Sequence, residues 1–386
     1  MARTGRRSFM KALAASPVLG MAGASTTEAL GASRLSPNES TVKLFGDGLA
    51  LSSEEYVSVL QKLTANGIES DYYSRGGVVE ELERTMAAAL GKQSAIYFPT
   101  GTLANHVAIR TLAGERTRAL VPAESHIYND SGDCVQQLSQ LNLVPLVSET
   151  ATFTLEQVQA QVERADGGRV ETGVGVIVIE SPVRRKRGEL FDYGEMKKIC
   201  AFARENGVGT HLDGARLYMA SGYTGVSPAE YASHFDTVYV SLWKYFNAGS
   251  GAILAGPEDL IAPLYHTRRM FGGGLPAAWP FAAVALHYFE TFEEEFSRAV
   301  ATAGAVFSSL RQHPSFGVVP IPNGSNIFEL VVEGSDLESF RARLREQGVL
   351  LSAPRPSTGG FVVTVNATWN RRSPESLATA FIDAVA

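Results

Sequence analysis

The chain reads as an α/β protein: a large domain on a mostly parallel sheet flanked by helices, followed by a smaller C-terminal α+β domain. Three observations predict this. The run Val174-Gly-Val-Ile-Val-Ile179 is apolar throughout, the pattern of a parallel strand buried on both faces. Two further short apolar runs, 208–212 and 237–243, alternate with helical stretches, and each delivers a polar residue at its C-terminal edge, Asp213 and Lys244. Beyond about Ser315, two short strand patterns, a helical pattern, another strand and a terminal helix succeed one another.

Composition sets the bounds. The 386 residues are 45% hydrophobic and 19% charged, which suffices for one large core and a second, smaller one. Net charge is −6 and there is no basic stripe, so a nucleic-acid partner is not expected. Cys134 and Cys200, without a C-x-x-C or histidine spacing, are expected to be buried free thiols, with no metal site and no disulfide framework.

Residues 1–32 read as signal peptide and linker. Thr4-Gly-Arg6-Arg7-Ser-Phe9-Met-Lys11 is a twin-arginine export pattern, and residues 12–24 form an apolar stretch too short to span a bilayer. Ala22-Gly-Ala24, or Ala29-Leu-Gly-Ala32, offers small residues for cleavage. Cutting after Ala24 removes Arg3, Arg6, Arg7 and Lys11 and no acid, moving the net charge from −6 to −10. Export predicts a periplasmic location and only a transient membrane encounter.

Residues 33–75 form an N-terminal segment. It holds a polar linker to Ser40, a short extended piece at Lys43-Leu-Phe-Gly-Asp-Gly48, and a helix over 53–65 capped by Ser52 or Ser53. Asp71 to Gly77 is a loop. Tyr72 and Tyr73 in it are expected to pack, with a reach into a neighbour's site as the alternative. The large domain, 76–280, opens with an amphipathic helix over 78–90 that Gly91 closes. Ala95 to Phe98 is a strand running into Pro99-Thr-Gly101-Thr102 and a helix over 103–112, whose first amides make a natural anion site. Strands at 118–122 and 141–147 follow, with helices at 154–163 and 194–204. A strand at 249–256 follows the lysine, and Pro257 is expected at the first position of a helix. The last domain, 281–386, begins with a bridging helix over 280–310. Its strands are 316–321, 326–332 and 361–366, and its helices 337–347 and 374–385.

A carboxylate and an amine at the ends of successive parallel strands can face one ligand, because open α/β sheets bind ligands beyond their carboxyl ends. That pairing suits pyridoxal 5′-phosphate: a lysine condenses with its aldehyde, and an acid keeps its pyridine nitrogen protonated. Alone, an Asp after a strand is ordinarily a cap or turn residue and a Lys a surface residue. Together, His211-Leu-Asp-Gly-Ala-Arg216 and Ser241-Leu-Trp-Lys244 resemble the threonine aldolase and β-eliminating lyase family of fold-type I pyridoxal phosphate enzymes. The resemblance runs from Gly67 to the end, weakening after Gly274. It implies a fold-type I, transferase-like architecture and a homodimer or homotetramer. Gly101 and Thr102 would sit in the cofactor phosphate loop. His126, after the strand at 118–122, would stack on the cofactor ring and serve in proton transfer. Asp213 would hold the ring nitrogen, Arg216 would lie near the cofactor O3′ and the substrate carboxylate, and Lys244 would carry the cofactor.

Several substrate-side features of the family pattern are absent. An Arg-Ser-Asp-Thr segment is replaced by Leu44-Phe-Gly-Asp-Gly48, and a Glu-Asn-Thr-His loop by Glu180-Ser-Pro-Val183. The arginine after the triple glycine falls near Pro276, and the strand expected to carry a carboxylate-binding arginine reads Phe361-Val-Val-Thr-Val-Asn366. Trp243-Lys244-Tyr-Phe-Asn stands where a Ser-Lys-Gly-type run is usual. Arg184, Arg185 and Arg187 would lie at a strand end near the site mouth and offer an anion contact, although a solvated loop is the commoner role of such a run; Arg355 is a second candidate. The expected activity is an exported lyase that splits a β-hydroxy amino acid into glycine and an aldehyde. The alternatives are β-elimination on another amino acid, or a cofactor-holding protein without turnover.

Overall fold

The computed structural model describes residues 40–147, 149–355 and 359–385, so the stretch expected to be a signal peptide lies outside the described residues. In chain order, β1 (Val42–Lys43) and α1 (Ser53–Thr64) precede α2 (Gly77–Ala89), β2 (Ser94–Phe98), α3 (Gly101–Ala113) and β3 (Arg118–Pro122). Two short helices, α4 (His126–Asn129) and α5 (Cys134–Ser139), lead to β4 (Asn142–Leu146), α6 (Leu155–Asp166), β5 (Val174–Glu180), α7 (Tyr193–Glu205) and β6 (Gly209–Asp213). Then come α8 (Leu217–Thr224), α9 (Pro228–Ser233), β7 (Thr237–Ser241), β8 (Ala252–Gly256), α10 (Glu258–Ile261) and α11 (Leu264–Met270). The 32-residue α12 (Trp279–Leu310) passes to β9 (Phe316–Pro320), β10 (Ile327–Val332), α13 (Leu337–Glu346), β11 (Val349–Leu350), β12 (Gly360–Thr364) and α14 (Pro374–Val385).

The large sheet has seven strands in the order β2-β8-β7-β6-β5-β3-β4. All pairings from β7 to β4 are parallel, and β8 alone runs antiparallel to its neighbours. β5 is buried along its whole length, as its unbroken apolar run predicts. Its side chains alternate: Ile177 and Ile179 join the core beneath α6 and α7, while Val176 and Val178 join the core beneath α3 and α5. Each such fully buried aliphatic side chain contributes about 1.5–3 kcal/mol. By the same period of two, Glu180, His211, Asp213 and Tyr239 fall on the α3 side of the sheet.

The smaller sheet, β12-β10-β9, is antiparallel and carries α13 and α14 over its own core. α12 joins both cores: Ala282, Phe292 and Phe296 pack in the first, and Ala303, Phe307 and Leu310 in the second. The N-terminal segment returns to the small sheet. β1 pairs with β11, the Leu44 carbonyl accepts from the Thr364 amide at 2.9 Å, and the Asn366 amide donates to the carbonyls of Lys43 and Gly46, both at 3.0 Å.

Some local expectations are corrected. Pro257 is the cap before α10, with extended backbone, and not its first helical residue. α3 starts at Gly101 because the Thr100 hydroxyl caps it, two residues earlier than periodicity alone suggests. Cys200 is buried, but Cys134 is only half-buried. Tyr72 and Tyr73 do pack, edge-to-face with ring centroids 4.8 Å apart, although Tyr72 stays 76% exposed and Tyr73 lies under the Arg269 guanidinium.

Candidate active site

Asp213 is the last residue of β6, and its two oxygens are fixed from two directions. Oδ2 accepts from Asn105 Nδ2 at 2.6 Å and Oδ1 from the Ala215 amide at 3.1 Å. Asn105 is on α3, and its Oδ1 faces His211 Nε2 at 2.8 Å, while His211 Nδ1 meets the Thr237 hydroxyl at 2.8 Å. Because the Asn105 amide donates to Asp213, its carbonyl accepts, which puts the His211 proton on Nε2. Burial pushes the His211 pKa down to about 4, so the ring is neutral at pH 7.

The same helix supplies an anion site. The Thr100 hydroxyl accepts from the Leu103 amide at 3.2 Å, leaving the amides of Gly101 and Thr102 ahead of the first intrahelical bond and at the cavity wall. A Cβ at Gly101 would overlap the Tyr239 hydroxyl, so only glycine fits.

Lys244 lies three residues past β7. Burial, and then the Arg216 charge, lowers its pKa to about 8 against the pull of Asp213, Asp47 and Glu180. At pH 7 roughly a tenth of it is free amine, against well under a thousandth for an ordinary lysine. Arg216 is paired with Asp47 of the N-terminal segment: Nη2 to Oδ2 is 2.8 Å, and Nε reaches Oδ1 and Oδ2 at 3.0 and 3.1 Å.

Glu180, at the end of β5, lies opposite Asp213 in register and is buried. Oε2 accepts from the His126 amide at 2.6 Å and Oε1 from the Arg184 amide at 3.0 Å. Burial first, and the charge of Asp213 second, raise its pKa to about 7. His126 begins α4, with Nδ1 3.3 Å from the Ser131 hydroxyl; burial lowers its pKa and favours the neutral ring.

These side chains converge. Gly101, Thr102, His126, Asp213, Arg216 and Lys244, the six residues singled out from sequence, all line one cavity of ≈ 330 Å³. Asn105, Glu180, Tyr239, Trp243 and Ser250 line it too and were missed. Asn105 carried a signal, standing one helical turn beyond Gly101 and so on the same helix face. An acid ending an otherwise apolar buried strand was the signal at Glu180. A second cavity of ≈ 360 Å³, walled by Gly46 to Gly48, Leu51, Tyr56 and Asn247 to Gly249, shares Trp243 and Lys244 with the first.

The basic run is divided. Arg185 reaches Glu124 and Asp130 at 3.3 and 3.1 Å, and Arg187 pairs with Glu329, so both are held in the surface loop. Arg184 lines the cavity. Arg355 is at a backbone bridge to Gly360, and neither it nor Asn366 is among the lining residues.

The family model described as beta-eliminating lyase matches residues 57–331, about seven-tenths of the chain. The chain belongs to the beta-eliminating lyase family. Its curated relatives include the low-specificity L-threonine aldolase of Candida albicans, 32% identical over 218 residues, and that of Saccharomyces cerevisiae, 30% identical over 207. The first alignment covers 56% of this chain and 58% of the relative, and the second 53% of each, so the chain spans little more than half the length of these two. Low-specificity L-threonine aldolase 1 of Arabidopsis thaliana is 25% identical, over 74% of this chain and 81% of its own. Among solved structures, a Listeria monocytogenes EGD-E protein provisionally named an L-allo-threonine aldolase superposes with a TM-score of 0.74 at 27% identity, covering 90% of this chain and 96% of its own. Sphingomonas wittichii serine palmitoyltransferase, 16% identical with a TM-score of 0.63 over 89% of this chain and 87% of its own, shares the fold. The architecture is therefore the fold-type I, transferase-like one, in a pyridoxal-phosphate-dependent family. The residues present fit that cofactor: an amine kept partly uncharged, a carboxylate held by two donors, and a helix start whose glycine leaves no room for a side chain.

Proposed function

We propose that the chain is a pyridoxal-phosphate-dependent lyase that cleaves a β-hydroxy amino acid to glycine and an aldehyde, as the names of its curated relatives suggest. The observation that carries this reading is the one cavity shared by Lys244, Asp213 and the first turn of α3. When bound, the cofactor supplies an aldehyde for an amine and a ring that accepts the electron pair left at Cα. Lys244 would hold the aldehyde, and its depressed pKa leaves its amine partly uncharged and so able to act as a nucleophile or a base. Asp213 keeps a proton on the ring nitrogen, its carboxylate oriented by Asn105 and the Ala215 amide. Gly101 and Thr102 receive the phosphate on backbone amides. His126, neutral and on the cavity wall, would lie against the ring and take the hydroxyl proton.

Purified protein should carry the cofactor's visible absorption band and release an aldehyde from β-hydroxy amino acids. One observation favours β-elimination instead: buried Val183 stands where the family pattern has a histidine, which removes one base from the hydroxyl side. Ammonia and keto-acid release without aldehyde would select that reading. A band that no amino acid perturbs would select a cofactor-holding protein without turnover.

Export by the twin-arginine route to the periplasm belongs to the same proposal, supported by Arg6-Arg7 with Phe9 and Lys11 at matching offsets. A reporter fused to residues 1–35 should reach the periplasm only with both arginines intact. Assembly as a homodimer or homotetramer is proposed by family resemblance and is read by sedimentation.

A further inference from the structure

Building on that functional reading, we infer that Arg184 takes the substrate carboxylate, and so sets the requirement for an α-amino acid over a plain amine. Among the described residues, Arg184 and Arg216 are the two guanidinium groups that line the cavity. Arg216 is already engaged. Its Nε and Nη2 contact both oxygens of Asp47, and the two side chains are only 15% and 13% exposed. A second carboxylate arriving there would meet the Asp47 charge at close range.

Arg184 is in the opposite situation. Its backbone is fixed, with the amide bound to Glu180 Oε1 and the residue opening a short 3-10 turn over 184–186. Its side chain is 58% exposed, and its ion pair with Asp130 is a long one, at 3.7 Å. A charge-assisted bond is normally about 2.7–2.9 Å. Asp130 already has Arg185 at 3.1 Å, so turning the Arg184 guanidinium into the cavity leaves no acid unpaired. A planar, two-pronged donor on an anchored stem is the group that recognises a carboxylate bidentately. The Glu180 carboxylate that holds the Arg184 amide also holds the His126 amide, so one clamp positions the carboxylate contact and the ring contact together. The strand where a carboxylate-binding arginine was expected offers none: Asn366 turns to the backbone of residues 43–46.

The test uses cofactor-loaded wild type, Arg184→Gln and Arg184→Lys, reading perturbation of the cofactor absorption band as glycine, or ethylamine as the amine lacking a carboxylate, is titrated in. Arg184→Gln should load the cofactor normally yet need roughly ten to a hundred times more glycine for half-saturation, the usual worth of a hydrogen bond to a charged group. Arg184→Lys should recover part of this, and ethylamine should titrate all three proteins alike. Equal glycine half-saturation in wild type and Arg184→Gln overturns the assignment. So does weakened cofactor retention with glycine binding unchanged, which would make Arg184 a phosphate contact. Absence of any cofactor band in wild type, by contrast, overturns the functional reading on which the assignment rests.

Discussion

Replacing Asp47 by Asn should be felt at both the stability and the chemistry of the site. The Arg216–Asp47 contact at 2.8 Å corresponds to about 6 kcal/mol of attraction at an effective dielectric of about 20. Most of that is offset by the cost of taking both ions out of water, but removing one partner leaves the other charge buried and uncompensated, which costs about 3–5 kcal/mol. With both side chains retaining slight exposure and Asn able to accept one hydrogen bond, the expected loss is at the low end, about 3 kcal/mol. Lys244 should respond as well. Asp47 raises its pKa and Arg216 lowers it, so Asp47→Asn shifts the amine below its present value of about 8. Guanidinium unfolding reads the first effect. Competitive acetylation of cofactor-free protein across pH, with the Lys244 peptide followed by mass spectrometry, reads the second. Asp47→Asn/Arg216→Gln should regain most of the stability, since no charge is then orphaned. An unfolding midpoint and a Lys244 labelling curve both unmoved by Asp47→Asn would refute the reasoning.

Other expectations concern neighbouring groups. The Glu180 pKa, raised to about 7 from 4.5, means the folded state binds the extra proton between those values, so this group's contribution to stability is lost as pH rises through that window. Glu180→Gln should flatten that part of the stability profile; a difference curve without slope between pH 4.5 and 7 would contradict it. Asn105→Ala strips a partner from both Asp213 and His211 and should cost about 1–3 kcal/mol for each group left unpaired, read by unfolding and by loss of cofactor retention. Gly101→Ala puts a methyl into the Tyr239 hydroxyl; overpacking of that kind costs about 1–3 kcal/mol, and cofactor affinity should fall with it. Borohydride treatment should fix the cofactor mass to the Lys244 peptide in wild type, and Lys244→Ala should show no such adduct.

Much of the fold is legible in the chain, because the strongest patterns belong to elements whose surroundings are uniform. The run at 174–179 is apolar on both faces because β5 is covered on both, and the 280–310 stretch keeps helical spacing because α12 is lined by two cores in turn. The six site residues were accessible for a similar reason: each follows a strand or opens a helix at the carboxyl edge of the sheet, where sequence order translates into spatial order. The partnership of Asp47 with Arg216 was not legible. The two are 169 positions apart, and nothing in Leu44-Phe-Gly-Asp-Gly48 specifies where a short extended segment will dock. Likewise the four basic side chains at 184–187 look equivalent in sequence, and the positions of Glu124, Asp130, Glu329 and the Glu149 carbonyl distinguish them. Short helices such as α4 and α5 leave no mark in the sequence, because one to two turns are too brief to display a period.

The return of residues 42–48 to the small sheet makes them a strap with one end tied to the C-terminal part and the other laid across the lysine. Its anchor is backbone pairing with β11 and the grip of Asn366, and its working end is the Asp47 carboxylate on Arg216. Gly48 presses so closely on the Lys244 carbonyl that no side chain can intervene. A lesion near residue 366, distant in sequence from every group in the cavity, therefore slackens the strap and alters the charge felt by an amine in the large sheet.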